Sequence, residues 1–106
     1  MSYNTTTQQV NWGGYNFEVC EKSGLWRVSP GLYVFAGFAN GYWIAKYIGK
    51  TEDFNARIPR HERWEEAVRL GATHVHARIE TNAIQRMLIE RDLIQRFQPP
   101  LNDQLR

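Results

Sequence analysis

The sequence predicts an α+β domain with a small central antiparallel β-sheet flanked by helices, and three observations support this fold class. The pair Asn40-Gly41 lies between two β-rich segments and is the strongest short-range signal for a hairpin. Residues 73–80 alternate apolar and polar side chains, as a half-buried strand does. A long helical pattern begins after Thr81 or Asn82 and ends at Pro99-Pro100. We expect three main strands and one possible additional N-terminal strand.

The length, net charge and cysteine count of the chain limit the kinds of protein it can be. The 106 residues are too few for two hydrophobic cores, so we expect one domain over residues 13–106 behind a flexible tail at 1–12. A net charge of +2 permits an anionic partner without requiring one. The single cysteine, Cys20, cannot form an internal disulfide. Neither a secretory signal nor a membrane span is recognisable, so we expect a cytoplasmic protein without membrane contact.

The N-terminal half is predicted to be β-rich. Residues 15–20 alternate apolar and polar side chains, which indicates a short half-buried strand. Residues 29–31 carry a Ser-Pro-Gly turn signal. The segments 32–36 and 42–48 then pair, so that residues 31–48 form an antiparallel hairpin.

Two short helices are predicted between the hairpin and the next strand. Thr51 is followed by two acidic residues, which is typical of a helix start. Pro59 predicts that this first helix is short or kinked. A second helix is expected from about Pro59 or Arg60 to Leu70, with Gly71 suited to its C-terminal end.

One acidic residue occupies an unexpected position in the long C-terminal helix. The spacing of Ala83, Met87, Ile94 and Phe97 predicts an apolar stripe, and Glu90 falls inside it. A carboxylate in such a stripe has to be paired, protonated or bound to a metal. The spacing alone leaves a structural ion pair and a functional carboxylate equally supported.

Two further pairs of residues have the chemistry of a site. Tyr33 and Tyr47 lie on the two hairpin strands and can face each other, although such aromatic pairs are more often packing than catalysis. Arg57 and His61 are four residues apart, and they share a helix face if Pro59 leaves the register intact.

Taken in order, these residues resemble the GIY-YIG nuclease superfamily. Gly31-Leu32-Tyr33 and Tyr47-Ile48-Gly49 resemble its paired motif, with Leu32 in place of the usual Ile. The resemblance covers residues 30–103, and Pro59 is its main departure. Further matches follow in the family's order: Lys50 after the second triplet, Arg57 at the catalytic arginine, His61 at a frequent histidine, Glu90 at the metal-binding glutamate and Asn102 in the terminal motif.

The resemblance implies a metal-dependent DNA endonuclease that leaves 5′-phosphate and 3′-hydroxyl ends. It implies a GIY-YIG-like fold, with Mg²⁺ or Mn²⁺ as cofactor and DNA as partner. It also assigns Glu90 as the metal ligand. Among the basic residues that cluster in the middle of the chain, Lys50, Arg60 and Arg63 are candidate DNA contacts. The implied catalytic residues are Tyr33, Tyr47, Arg57, His61 and Glu90, supported by Lys50 and Asn102, and we expect the catalytic five to lie together on one concave face of the sheet.

This chemistry suits these residue types. Mg²⁺ keeps several waters, so a single carboxylate such as Glu90 can hold it together with a substrate phosphate. Arg57 can hydrogen-bond a phosphate through two N–H groups. A tyrosine can serve as general base if a nearby cation lowers its pKa, and the sequence leaves open which tyrosine does so. By analogy, Asn102 positions Glu90 or supports the C-terminal segment.

Two other functions remain open from the sequence. The first is a nucleic-acid-binding module of the same fold without turnover. The second is a zinc-type metallohydrolase that uses His61, His74 and His76, although no third ligand is evident beside the strand pair His74 and His76. The sequence does not indicate the DNA specificity or the biological pathway. It fits both a monomer and a homodimer, with or without a separate targeting partner protein.

Overall fold

A five-stranded antiparallel β-sheet with strand order β1-β2-β5-β3-β4 organises the chain. The computed structural model describes residues 8–102. Both edges of the sheet come from hairpins, because β1 pairs only with β2 and β4 pairs only with β3. The elements are β1 (Gln9–Trp12), β2 (Tyr15–Cys20), β3 (Gly31–Ala39), β4 (Tyr42–Thr51), α1 (Phe54–Arg57), a 3₁₀ turn (Ile58–Arg60), α2 (Trp64–Arg69), β5 (His74–Ile79) and α3 (Ala83–Phe97).

The strands follow the predicted α+β order, with one strand more than expected. The hairpin prediction is confirmed, and its turn uses positive φ angles of 54° at Asn40 and 85° at Gly41. The predicted flexible tail over 1–12 is wrong for residues 9–12, which form β1 and pair with β2. Trp12 at the end of β1 is buried and packs edge-on against Phe97 of α3. Residues 1–7 of that prediction lie outside the described residues.

The segment around Pro59 differs from the prediction. Asp53 caps α1 by accepting hydrogen bonds from two backbone N–H groups. Pro59 lies in the 3₁₀ turn, where its missing N–H costs nothing. The predicted start of α2 at Pro59 or Arg60 is wrong, because His61 has extended backbone angles and α2 begins at Trp64.

The sheet has two buried faces that we name by what they contain. The tyrosine face carries Tyr33, Phe35 and Val75 and packs against α1, the 3₁₀ turn and α2. The α3 face carries Leu32, Val34 and the apolar side of α3. Alternation along β3 therefore separates two cores, with Tyr33 and Phe35 in one and Leu32 and Val34 in the other.

The stripe predicted for α3 is rotated relative to the buried one. Met87 and Phe97 are exposed rather than buried, whereas Ile89 and Leu93 fill the core. The buried side of the helix also includes Arg86, whose guanidinium donates to the backbone carbonyls of Glu80 and Thr81. Glu90 consequently lies at the margin of the stripe and is half-buried.

His76 makes the fold sensitive to acid. It is fully buried on the α3 face, and its Nδ1 accepts a hydrogen bond of 2.9 Å from Trp12 Nε1. Burial lowers its pKa from 6.5 to about 3. The unfolded chain therefore binds a proton that the folded chain refuses between these two pH values, so stability falls as pH falls through this range.

We expect the free energy of unfolding to drop by roughly 1 to 3 kcal/mol between pH 6.5 and 4.5 from His76. The measurement is chemical denaturation across this range. His76→Gln keeps an acceptor for Trp12 without titrating, so its pH dependence should be shallower. Equal slopes for both proteins would contradict this role of His76.

Candidate active site

Tyr33 and Tyr47 lie on the same face of the hairpin but are not directly opposite. Tyr33 pairs with Gly49 and Tyr47 pairs with Phe35, which makes the two tyrosines diagonal neighbours with ring centroids 6.3 Å apart. The ring of Tyr33 crosses Gly49 so closely that a Cβ there would lie 2.5 Å from its hydroxyl oxygen. Glycine at this position is therefore required by the packing of the catalytic candidate beside it.

A β-bulge places Tyr47 on the tyrosine face. Phe35 pairs with Tyr47 and Ala36 with Ala45, so Lys46 is an extra residue in β4. In a regular strand residues 45 and 47 would share a face, whereas here Ala45 packs in the α3 core and Tyr47 packs beside Tyr33. No local sequence signal marks this bulge.

His61 is fixed in one neutral tautomer. Its Nδ1 accepts a hydrogen bond of 3.1 Å from the backbone N–H of Arg63, so the proton of the neutral ring is on Nε2. This Nε2–H lies 2.9 Å from the hydroxyl oxygen of Tyr33 and donates to it. Burial, assisted by the charge of Arg57, lowers the pKa of His61 to about 4, which keeps the ring neutral at physiological pH.

Arg57 is engaged by a carboxylate that the sequence did not single out. Its Nη1 and Nη2 lie 2.7 and 2.9 Å from the two carboxylate oxygens of Glu62. The pair lowers the pKa of Glu62 to about 2. Arg57 also acts on Tyr33, lowering the pKa of its hydroxyl by charge and by hydrogen bonding. Pro59 therefore does not turn Arg57 or His61 away from Tyr33.

The tyrosine pKa values differ from what a resting general base needs. Burial raises the pKa of Tyr33, Tyr47 raises it further, and the opposing effect of Arg57 is smaller. Burial also raises the pKa of Tyr47. The positively charged side chains near Tyr33 and Tyr47 therefore do not bring the pKa of either hydroxyl below its ordinary value, which a tyrosine acting as general base requires.

Glu90 reaches the tyrosines from the other side of the sheet. The expectation that all five residues share one face is wrong for Glu90, because α3 packs against the opposite face. Its charge nevertheless raises the pKa of both Tyr33 and Tyr47. The helix α3 contacts β4, the edge strand that carries Tyr47.

The carboxylate of Glu90 suits a cation ligand. Burial raises its pKa, and only the charge of Lys50 opposes this effect. Within residues 8–102 the carboxylate has no hydrogen-bond or salt-bridge partner, so the structural ion pair considered from the sequence is not formed there. A half-buried and unpaired carboxylate fits a hard, largely hydrated divalent cation.

Asn102 holds the strand that carries Tyr47. Its side-chain oxygen accepts from the N–H of Ile48 and its amide donates to the carbonyl of Ile48, both at 2.8 Å. The N–H of Leu101 adds a bond to the carbonyl of Lys46. Asn102 thus supports the C-terminal segment, which was one of its two expected roles.

The remaining expected residues are dispersed. Lys50 and Arg60 are exposed, and Arg63 pairs with Glu66 at 2.9 Å. The zinc-site alternative is wrong, because His61 lies on the tyrosine face and His76 is buried on the α3 face. In the part of the chain that the structure describes, no three potential His, Cys, Asp or Glu ligands converge.

Comparison with known proteins finds a sequence relative and several solved structures of similar fold. No protein-family model matches the chain. UvrABC system protein C of Haloarcula marismortui is 33% identical over 94 residues, covering 84% of this chain, and the chain spans only 16% of that relative. The GIY-YIG N-terminal endonuclease domain of UvrC from Thermotoga maritima, bound to magnesium, has a TM-score of 0.60 at 23% identity and covers 74% of this chain and 88% of that chain.

A point mutant of the same Thermotoga maritima domain, bound to its catalytic divalent cation, gives a TM-score of 0.59 at 24% identity over 74% of this chain and 87% of that chain. At this identity the likeness shows a shared fold. No helix within residues 8–102 has the length and apolar character needed to span a membrane.

Proposed function

We propose that this chain, a GIY-YIG domain, is a divalent-metal-dependent endonuclease that hydrolyses phosphodiester bonds in DNA. The observation that carries the proposal is the arrangement around one oxygen. Tyr33 Oη accepts the Nε2–H of His61, lies beside Arg57, and is within electrostatic reach of the unpaired Glu90. A lone packing tyrosine needs none of these neighbours.

Tyr33 is the better candidate for the general base. The Nε2–H of His61 donates to its oxygen and the charge of Arg57 acts on it, and both favour the deprotonated phenolate over the phenol. Because His61 Nε2 already carries a proton, His61 stabilises the phenolate rather than accepting its proton. Once the Tyr33 hydroxyl has lost its proton to solvent, the phenolate would take a proton from the attacking water.

Positively charged groups would hold the phosphate of the scissile phosphodiester bond. Arg57 can present two N–H groups to non-bridging oxygens once these groups leave Glu62. Glu90 would hold the cation, and a bound divalent cation would supply positive charge to the phosphate and acidify nearby water. Tyr47, beside Tyr33 on the same face, would orient the water or the phosphate.

The test is nicking of supercoiled plasmid with Mg²⁺ or Mn²⁺ and with EDTA. We expect metal-dependent nicks that DNA ligase reseals, because ligase requires 5′-phosphate and 3′-hydroxyl ends. DNA binding with no nicking under any divalent metal would favour the alternative, a binding module of this fold. One site cuts one strand, so duplex cleavage would need a second copy or a second nick.

The ion pair between Arg57 and Glu62 gives a prediction of its own. Glu62 occupies the two N–H groups that a phosphate would use, and both side chains are partly exposed, which limits the strength of the pair. We expect Glu62→Gln to raise kcat/KM by about 2- to 5-fold through tighter substrate binding. Glu65→Gln, an exposed neighbour without this contact, is the control. A loss of activity in Glu62→Gln would show instead that the carboxylate is needed to orient Arg57.

A further inference from the structure

A cleft on the α3 side of the sheet edge is lined by two positively charged side chains, Arg86 and Lys50. The proposed nuclease mechanism gives no role to Arg86 and only a supporting role to Lys50. The cleft lies where the end of β4 meets the first turns of α3 and has a volume of about 390 Å³. Its helical wall lies about one turn before Glu90 on α3. The cleft is lined by Lys50, Thr51, Glu52, Ala83, Arg86 and Met87.

Arg86 is the unusual residue of this cleft. Its side chain is only 8% exposed, yet no acidic group within residues 8–102 forms a salt bridge with it. Its Nη1 donates to the carbonyls of Glu80 and Thr81 at 2.9 and 3.1 Å, which fixes the guanidinium in place. Its other nitrogens have no hydrogen-bond partner in the described chain and are not sealed from solvent.

A fixed and buried cation that forms no salt bridge is a costly arrangement that an external anion relieves. The planar guanidinium matches the oxygens of a phosphate, and Lys50, which also lines the cleft, adds a second positive charge. Glu52 also lines the cleft and opposes an anion there. The two cations and one carboxylate of the cleft therefore allow its ligand to be tested with substitutions of either sign.

We propose that this cleft binds a backbone phosphate of the DNA strand beyond the scissile bond, so that the strand crosses the β4 edge from the tyrosine face to α3. The inference rests on the proposed function for its ligand. It assigns Arg86 as a DNA-binding residue and identifies the side of Glu90 on which the strand continues.

The experiment measures the affinity for a 20-base-pair DNA duplex by fluorescence anisotropy in EDTA, so that no turnover is required. We expect Arg86→Gln to weaken binding by about 5- to 20-fold and to reduce the slope of log K against log salt by about 0.9. Arg86→Lys should recover most of the affinity, and Glu52→Gln should tighten binding. Arg91→Gln, at an exposed position of the same helix, is the matched control.

Each outcome has one meaning. Wild-type affinity and salt slope in a folded Arg86→Gln protein would overturn the proposal, as would unchanged binding in Glu52→Gln if Arg86→Gln does not fold. Inorganic phosphate that raises the melting temperature of the wild type, with DNA affinity independent of Arg86, would also overturn it, since the cleft would then be a free-anion site. Binding as predicted without nicking by any metal would contradict the nuclease proposal and leave this site standing.

Discussion

Glu90→Gln is expected to abolish metal-dependent nicking, by about 10²-fold or more, while the variant folds at least as well as the wild type in metal-free buffer. Burial raises the pKa of Glu90, so above its unfolded pKa of 4.5 the charge destabilises the folded state. The amide removes that cost at neutral pH and keeps the shape of the side chain. It also removes the anion that a cation would bind.

The test of Glu90 measures thermal stability and DNA cleavage under the same conditions. Thermal melts with and without Mg²⁺ or Mn²⁺ should show metal stabilisation in the wild type and none in Glu90→Gln, and plasmid nicking is followed in the same buffers. Asp92→Asn is the matched control, since Asp92 lies on the same helix and pairs with Arg96. If Glu90→Gln nicks DNA at the wild-type rate, Glu90 is not the metal ligand.

Tyr33→Phe is expected to reduce cleavage by about 10² to 10⁴-fold, the usual contribution of a general base. It also removes the hydrogen bond with His61, at a cost of about 1 kcal/mol in stability. Because the pKa of Tyr33 is raised, the wild-type rate should increase with pH through the alkaline range, as the phenolate fraction grows. That increase should be absent in Tyr33→Phe.

Two variants sharpen the tyrosine test. Tyr47→Phe should lose less activity than Tyr33→Phe, because the hydroxyl that accepts the proton of His61 belongs to Tyr33. Tyr42→Phe, at an exposed position of the hairpin, should behave like the wild type. A fully active Tyr33→Phe protein with an unchanged pH profile would show that the water is activated without this tyrosine.

Local signals explain why much of the fold was predictable. The β3–β4 turn is determined by Asn40-Gly41, and α3 by Asn82 before it and two prolines after it. β1 was missed because Gln9 and Asn11 are polar, and besides its pairing with β2 the strand is held by the distant contacts of Trp12. Such contacts are not encoded in any window of a few residues.

The site was predictable in residue identity more than in geometry. The ordered motifs named Tyr33, His61 and Glu90, but the hydrogen bond between the first two joins residues 28 apart in sequence. The bulge at Lys46 and the placement of α3 on the opposite face depend on register and packing. Arg86 was not singled out because a charged residue on a helix usually indicates a solvated surface, although its position four residues before Glu90 could have drawn notice.

The bonds that Asn102 makes to Ile48 have a consequence for self-association. β4 is an edge strand, and an edge strand offers free N–H and C=O groups to a strand from another molecule. Asn102 and Leu101 occupy these groups at Ile48 and Lys46, and so act as a short substitute strand. A chain lacking them would present a free edge beside Tyr47, where pairing between molecules would both promote aggregation and cover the approach to the proposed nuclease site.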